Sequence, residues 1–180
     1  MRNKLIKDIS ITGMGIALFV VLSLCLQVPV FENYYLCLGY VAMAVYLYSF
    51  GIRKGMIVGV FGTILYCFLI NGFRGMPGWA IGNVFIAVYL GYAFKLGNCL
   101  SERFARYLVY GCGALFGCFM GIFIVKSLVE YFLYSQPMPV RMMSNIYAFI
   151  ADTVILLISI PICERLDKYI NKITKNIDGV

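Results

Sequence analysis

Charged residues divide the chain into six long apolar stretches. Runs without any charged residue cover positions 9–31, 33–52, 55–73, 75–94 and 107–125, and a sixth run at 142–163 is interrupted only by Asp152. A helix needs about 20 predominantly apolar residues to cross a bilayer. Apolar residues at consecutive positions, as at 57–61, exclude the alternating pattern of a membrane β-barrel. The pattern therefore predicts six membrane-spanning helices, at about 9–27, 35–52, 55–72, 78–95, 107–130 and 142–163.

The amino-acid composition is also that of a membrane-embedded chain. Hydrophobic residues make up 62% of the chain and charged residues 13%, with a mean hydropathy of +0.89. An average soluble domain is about 45–50% apolar and about 25% charged. We therefore expect an all-α membrane protein, with residues 1–180 forming a single integral domain built as a six-transmembrane-helix bundle.

Histidine and cysteine usage narrows the chemistry that the chain can perform. There is no histidine, which excludes Ser-His-Asp catalysis and His-ligated zinc. The seven cysteines are scattered without any C-x-x-C pair, a pattern typical of free thiols that behave as small apolar residues. We expect neither a metal nor another cofactor.

The distribution of basic residues predicts the orientation in the membrane. With six spans both termini share one side, and that side collects 12 of the 15 lysines and arginines. Only Arg74, Lys126 and Arg141 lie elsewhere. Because cytoplasmic connections are enriched in Lys and Arg, we expect the N- and C-termini to be cytoplasmic. The net charge of +7 then follows from topology, and no nucleic-acid partner is needed to explain it.

The three outer connections, at 26–35, 71–78 and 134–141, each contain proline. Proline and glycine at this density indicate shaped turns. Aromatic residues gather nearby, namely Tyr34, Tyr35, Trp79, Tyr131 and Tyr134. We interpret them first as a belt at the membrane interface. The alternative is an aromatic pocket at the outer face.

Small residues recur at helical spacing in two spans. Gly113, Gly117 and Gly121 form two successive G-x-x-x-G steps, which predict close helix packing inside the bundle. Gly13 and Ala17 form a similar step near the cytoplasmic end of the first span. That face either packs in the bundle or receives another protein.

Polar residues inside the spans are candidates for function because burying them in lipid is costly. Asn145 and Asp152 are seven residues apart and so lie on one helical face, and Asn83 lies within the fourth span. Lys126 and Glu130 form an i, i+4 pair. A structural role is the alternative for each of them, through an ion pair of Lys126 with Glu130 and a partner for Asp152 on a neighbouring helix.

Motifs for chemistry are missing from the sequence. It contains no G-x-x-x-x-G-K-[ST] phosphate loop, no H-E-x-x-H and no G-x-S-x-G. We therefore expect binding or transport and not an enzyme.

Taken together, these features resemble the S components of energy-coupling factor (ECF) transporters, the substrate-capture subunits of bacterial vitamin importers. The resemblance covers residues 9–163. It rests on the length, the six spans with both termini inside, the small-residue step on the first span and the glycine-rich turn at 71–83.

The resemblance implies that a water-soluble vitamin or related micronutrient binds near the outer face, in a pocket formed by spans four to six. The connections at 26–35 and 71–78 would cap it. The side chains implied in substrate binding are Arg74, Trp79, Asn83, Lys126, Asn145 and Asp152.

The resemblance also implies partners in a bacterial cell membrane. The family carries A-x-x-x-A on span one, which docks onto a transmembrane scaffold subunit. Gly13 and Ala17 match this spacing, with glycine in place of the first alanine. Two ATPase subunits complete the complex and account for the missing phosphate loop, and the remaining partner is membrane lipid.

The chemical class of the substrate and two other functions stay open. Arg74, Lys126 and Arg141 favour an anionic or zwitterionic vitamin, whereas Glu130 and Asp152 fit a cationic ring nitrogen. A stand-alone secondary transporter or small channel is the second hypothesis, although spans one to three and four to six share no obvious motif of the kind that inverted repeats produce. A lipid-modifying membrane enzyme is the third.

Overall fold

A computed structural model describes residues 2–25, 28–31, 34–70, 72–135 and 137–178. In these ranges the chain is a helical bundle with one short antiparallel hairpin. The helices are α1 Arg2–Cys25, α2 Gly39–Phe50, α3 Ile52–Leu69, α4 Met76–Asn98, α5 Arg103–Cys118, α6 Ser127–Tyr134 and α7 Met138–Asp178. A π-helical segment, Phe119–Lys126, joins α5 to α6, and the hairpin consists of β1 Val28–Phe31 and β2 Tyr34–Leu36.

Six helical rods cross the bundle. Five of them, Ile6–Cys25, Ile52–Leu69, Met76–Asn98, Arg103–Tyr134 and Met138–Ile170, are long and apolar enough to span a membrane. The rod Arg103–Tyr134 comprises α5, the π-helical segment and α6. The remaining rod, α2, is shorter. The rods are numbered in chain order, so α2 is the second rod and Arg103–Tyr134 is the fifth. The helical membrane class is thereby confirmed, the six rods fit the predicted bundle, and the chain is a multi-pass membrane protein.

Helix α2 lies at the centre of the bundle. It contacts α1, α3, α4 and α7, and eight of its 12 residues are buried. A helix that is apolar on all sides is suited to such an interior position. Its 12 residues span about 18 Å at 1.5 Å per residue, less than the hydrocarbon thickness of about 30 Å.

The hairpin leads the chain from α1 into α2. Val28 pairs with Leu36 across the two strands, and both strands contact α7. Of the connection predicted at 26–35, residues 26, 27, 32 and 33 lie outside the described residues. Strands β1 and β2 thus contact the helix that carries Asn145 and Asp152.

A single residue, Gly51, reverses the chain between α2 and α3. Its φ of +87° lies in the left-handed region, where a Cβ is strained and glycine is not. The tight reversal packs α2 against α3 along their lengths.

The glycine face of the fifth rod packs against α4, as the sequence predicts. A Cβ on Gly121 would lie 2.5 Å from the backbone oxygen of Gly82, and one on Gly117 would lie 3.3 Å from Cα of Ile86. Gly113 likewise faces α4 without room for a side chain. The prediction of close packing inside the bundle is confirmed.

Candidate functional site

A hydrogen-bonded network joins α2, α3 and α4 in the interior. The Tyr40 hydroxyl donates to Asn83 Oδ1 at 2.8 Å and accepts from Trp79 Nε1 at 2.7 Å. Asn83 Nδ2 donates to Thr63 Oγ1 at 2.6 Å and to the backbone oxygen of Gly59 at 3.1 Å. We call these residues the inner network.

The inner network satisfies Asn83. Its amide has two N–H donors, and both are used within the protein, while its oxygen accepts from Tyr40. Asn83 is also completely buried. The structure thus gives it a role in holding three helices together, and its part in substrate binding stays a prediction. Trp79 is only half-buried and packs edge-on against Tyr66, with ring centroids 5.7 Å apart.

A second group of polar residues, the outer cluster, joins α6 to α7. It consists of Ser127, Glu130, Arg141 and Asn145. Asn145 Nδ2 donates to Ser127 Oγ at 3.0 Å and to Glu130 Oε2 at 3.3 Å. Arg141 Nη1 lies 3.7 Å from the same carboxylate oxygen of Glu130. The buried carboxylate is therefore held between an amide and a guanidinium.

Two polar atoms of the outer cluster are buried without a hydrogen-bond partner in the described part of the chain. One is an acceptor, Asn145 Oδ1, and the other is a donor, Arg141 Nε. The two residues are one helical turn apart on α7. Buried polar atoms are nearly always paired in native proteins, so such exceptions call for an explanation such as water or a ligand.

The π-helical segment ends at Lys126 and places it between the inner network and the outer cluster. A Cβ on Gly78, in the first turn of α4, would lie 3.1 Å from Cγ of Lys126 and 3.1 Å from its backbone oxygen. The side chain of Lys126 thus packs directly on the start of α4. Long π-helical segments are rare, and π-type irregularities in helices are frequent at functional sites.

Asp152 lies in the same region and is buried. It interacts electrostatically with Lys126 and with Tyr40. Lys126 in turn interacts electrostatically with Glu130 and Arg141. Asp152 and Lys126 therefore connect the two groups of polar residues.

The predicted face of α7 is confirmed. Asn145 and Asp152 are both buried, and Phe149 between them is half-buried. Tyr147, which the helical period places on the other side, is 39% exposed. The 3.6-residue helical period therefore continues between the two polar positions.

Arg74 lies apart from the other candidates. It is exposed on the connection between α3 and α4, and its guanidinium carbon is 5.4 Å from the ring centroid of Tyr134 at the end of α6. Residue 71 of the same connection lies outside the described residues. Arg74 thus lies on an exposed connection, where its guanidinium stacks on an aromatic ring.

Sequence reasoning missed part of the polar interior. Tyr40 and Thr63 lie within long apolar runs and were not singled out. The i, i+4 spacing suggested that Glu130 interacts with Lys126, which it does electrostatically, but it gave no sign of the ion pair of Glu130 with Arg141 on α7. A search for every hydroxyl within an apolar run would have found Tyr40 and Thr63, but helix spacing says nothing about partners on other helices.

Helix α1 presents an open face. Gly13 and Ala17 are exposed, nothing lies within 4 Å of a Cβ built on Gly13, and neighbouring Met14 is 70% exposed. The opposite face enters the bundle, where a Cβ on Gly15 would lie 2.7 Å from the ring of Tyr46. The small-residue step on α1 thus lies on the face that does not pack in the bundle.

Comparison with known proteins identifies relatives. The model of the family described as "ECF-type riboflavin transporter, S component" matches residues 3–168. Two proteins named "UPF0397 protein", from Lactococcus lactis subsp. cremoris strains NZ9000 and MG1363, are each 28% identical over 96 residues. That alignment covers 53% of this chain and 52% of each relative, so the chain spans about half the length of the curated relatives it matches.

No solved structure gives a significant match. The family model nevertheless extends from the start of α1 into the C-terminal half of α7 and includes every candidate residue described above. The chain therefore belongs to the family of S components of ECF-type riboflavin transporters, the vitamin-capturing subunits of these importers.

Proposed function

We propose that the chain captures riboflavin, or a compound with the same flavin ring, at the outer face of a bacterial cell membrane. It acts as a binding subunit and catalyses no reaction. The observation that carries the proposal is the pair of buried, unpartnered polar atoms on α7, Asn145 Oδ1 and Arg141 Nε. The family description adds the flavin.

The polar edge of a flavin ring is complementary to this pair. Its imide group presents an N–H donor between two carbonyl acceptors. Asn145 Oδ1 would accept from the ring N–H, and Arg141 Nε would donate to a neighbouring carbonyl. The amide nitrogen of Asn145 is already held by Ser127 and Glu130, which fixes its oxygen as the available acceptor.

Charge balance supports an uncharged ligand. The ion pair of Arg141 with Glu130 neutralises the charges of the outer cluster. A charged ligand would find no opposite net charge in the outer cluster. The sequence-based preference for an anionic or zwitterionic vitamin stays a prediction, and the binding experiment includes it.

Orientation and partners follow from the charge distribution and from α1. With the Lys- and Arg-rich end and both termini in the cytoplasm, the outer cluster faces the outside, where a nutrient arrives. The open face of α1 at Gly13 and Ala17 is the docking surface for a transmembrane scaffold subunit, whose two ATPase subunits supply the energy.

The single tryptophan provides a direct assay of substrate binding. Trp79 lies in the inner network, and its emission should be quenched by energy transfer to a flavin bound nearby. Purified protein is titrated with riboflavin and, in parallel, with an anionic vitamin such as pantothenate. Asn145→Leu should weaken riboflavin binding about tenfold or more, the effect of losing one hydrogen bond to a buried group.

Ser144→Ala is the matched control for this experiment. Ser144 is the preceding residue on α7, and its hydroxyl donates to the backbone oxygen of Val140 instead of to the outer cluster. Its variant should bind riboflavin as the wild type does. Equal affinity of the Asn145 variant and the wild type would exclude the proposed contact. Pantothenate does not absorb in the range of tryptophan emission, so its binding is followed by titration calorimetry, and binding of pantothenate but not of riboflavin would show that the substrate is anionic.

The docking surface is tested by co-purification with the scaffold and ATPase subunits. Gly13→Leu and Ala17→Leu should each abolish co-purification and leave the riboflavin titration unchanged, because both side chains point away from the bundle. Cys112→Leu, also an exposed position but on α5, is the control that should assemble normally. Normal assembly of both α1 variants would place the scaffold elsewhere.

A further inference from the structure

A separate cavity opens at the end of the bundle that carries both termini. It has a volume of about 410 Å³ and lies between the last turn of α2, the first turns of α5 and the part of α7 that follows Pro161. Its charged lining residues are Arg103, Arg106, Arg165, Lys168, Glu164 and Asp167. Volumes of about 300–1,000 Å³ are typical of small-molecule sites, so a compact polar group fits.

Glu164, a carboxylate of the lining, is contacted by two neighbouring side chains. The Tyr107 hydroxyl donates to Glu164 Oε2 at 2.8 Å, and Arg106 Nη1 lies 3.8 Å from Glu164 Oε1. No carboxylate of the described residues forms an ion pair with the other three basic side chains, those of Arg103, Arg165 and Lys168. The cavity thus has more positive charge than its own acids neutralise.

The N-terminus of α5 and the guanidinium of Arg106, both beside the cavity, would interact favourably with an anion. Helix α5, of 16 residues, begins at Arg103, and its N-cap residue Glu102 makes no side-chain capping hydrogen bond. Arg106 donates from Nη2 to the backbone oxygen of Leu100 at 3.0 Å, but its Nε is buried without an acceptor in the described part of the chain. Free backbone N–H groups at a helix N-terminus favour a negative charge, as does an unpaired guanidinium donor.

We propose that this cavity binds a phosphate group. The phosphate belongs either to the headgroup of an anionic lipid on that face of the membrane or to a soluble phosphate ester. Basic pockets between membrane helices on the cytoplasmic side suit lipid headgroups, and the cavity lies at the end of the bundle where such headgroups are found. The proposal concerns the opposite end of the molecule from the outer cluster and does not depend on the nature of the vitamin.

Native mass spectrometry of the full chain in detergent tests the proposal. The protein is mixed with phosphatidylglycerol or with phosphatidylcholine of the same acyl chains, and separately with glycerol 3-phosphate. The test variant combines Arg103→Gln with Lys168→Gln. The control combines Arg53→Gln with Lys95→Gln, which removes the same charge from the same end of the bundle but outside the cavity.

We expect the wild type to retain phosphatidylglycerol in preference to phosphatidylcholine, and the cavity variant to lose about tenfold or more of that affinity. The control variant should change less than about twofold. Binding of glycerol 3-phosphate that the cavity variant loses, without a preference for phosphatidylglycerol, would support the site and identify a soluble ligand. The proposal is overturned if neither phosphatidylglycerol nor glycerol 3-phosphate binds, or if the cavity and control variants lose affinity equally.

Discussion

The backbone contact between the rod Arg103–Tyr134 and α4 makes a quantitative prediction possible. Gly121 and Gly82 meet backbone to backbone, and a Cβ on Gly121 would lie 2.5 Å from the oxygen of Gly82 and 2.8 Å from Cγ1 of Ile86. Favourable carbon contacts lie at about 3.5–4.0 Å. Gly121→Ala therefore forces α4 away by roughly 1 Å, because the atom in the way belongs to the backbone and cannot rotate aside.

The size of the effect follows from a comparison of two identical substitutions. Overpacking of a well-packed interior costs about 1–3 kcal/mol. Alanine in a helix is favoured over glycine by about 0.5–1 kcal/mol, and this gain is common to both substitutions. Gly13→Ala receives the gain alone, since nothing lies within 4 Å of the new Cβ. The free energies of unfolding of the two variants should therefore differ by about 1–3 kcal/mol, the packing cost.

Thermal unfolding in detergent, followed by circular dichroism, measures the difference. Each kcal/mol corresponds to about 2–4 °C in Tm for a chain of this size. Gly13→Ala should unfold at or slightly above the temperature of the wild type, and Gly121→Ala clearly below both. If Gly121→Ala unfolds together with Gly13→Ala, the two backbones are not in contact and the reasoning from the glycine face fails.

Two further predictions concern the polar interior. Tyr40→Phe removes the hydroxyl that bridges an indole and an amide, so it should destabilise the protein by about 1–3 kcal/mol in the same unfolding assay; an unchanged Tm would show that the inner network contributes nothing. Arg141→Gln leaves the buried carboxylate of Glu130 without its ion pair and should cost about 1.5–3 kcal/mol, most of which Glu130→Gln restores in the double variant. Additive losses in that double-mutant cycle would exclude the pair.

Much of the architecture could be predicted because it depends on features that are local in sequence. The spacing between charged residues predicted the helical rods, because a long apolar helix satisfies the hydrogen bonds of its own backbone within lipid. The glycine steps predicted close helix packing, since a missing Cβ permits close approach whatever the neighbour is, and the structure identifies that neighbour as α4. The shared face of Asn145 and Asp152 followed from helical periodicity alone.

The remaining features depend on contacts between distant segments. A π-helical segment differs from an α-helix by its hydrogen-bond register, and nothing in the composition of Phe119–Lys126 indicates the change. The hairpin Val28–Phe31 with Tyr34–Leu36 lies in a connection whose proline argued for a turn. The ion pair of Glu130 with Arg141 joins two helices, so the i, i+4 rule, which relates residues of one helix, could not indicate it.

The proposed capture and docking sites lie on different helices, and the packing of α1 explains why they can be separated experimentally. Helix α1 contacts α2 and α3 through buried residues such as Gly15, whereas the outer cluster is built on α6 and α7. A bulky residue at Gly13 projects away from both sets of contacts. Loss of scaffold binding with intact flavin binding, and the reverse pattern in Asn145→Leu, would therefore come from separate surfaces. A variant at Gly13 that also lost flavin binding would instead reveal that α1 and the outer cluster are coupled through α2.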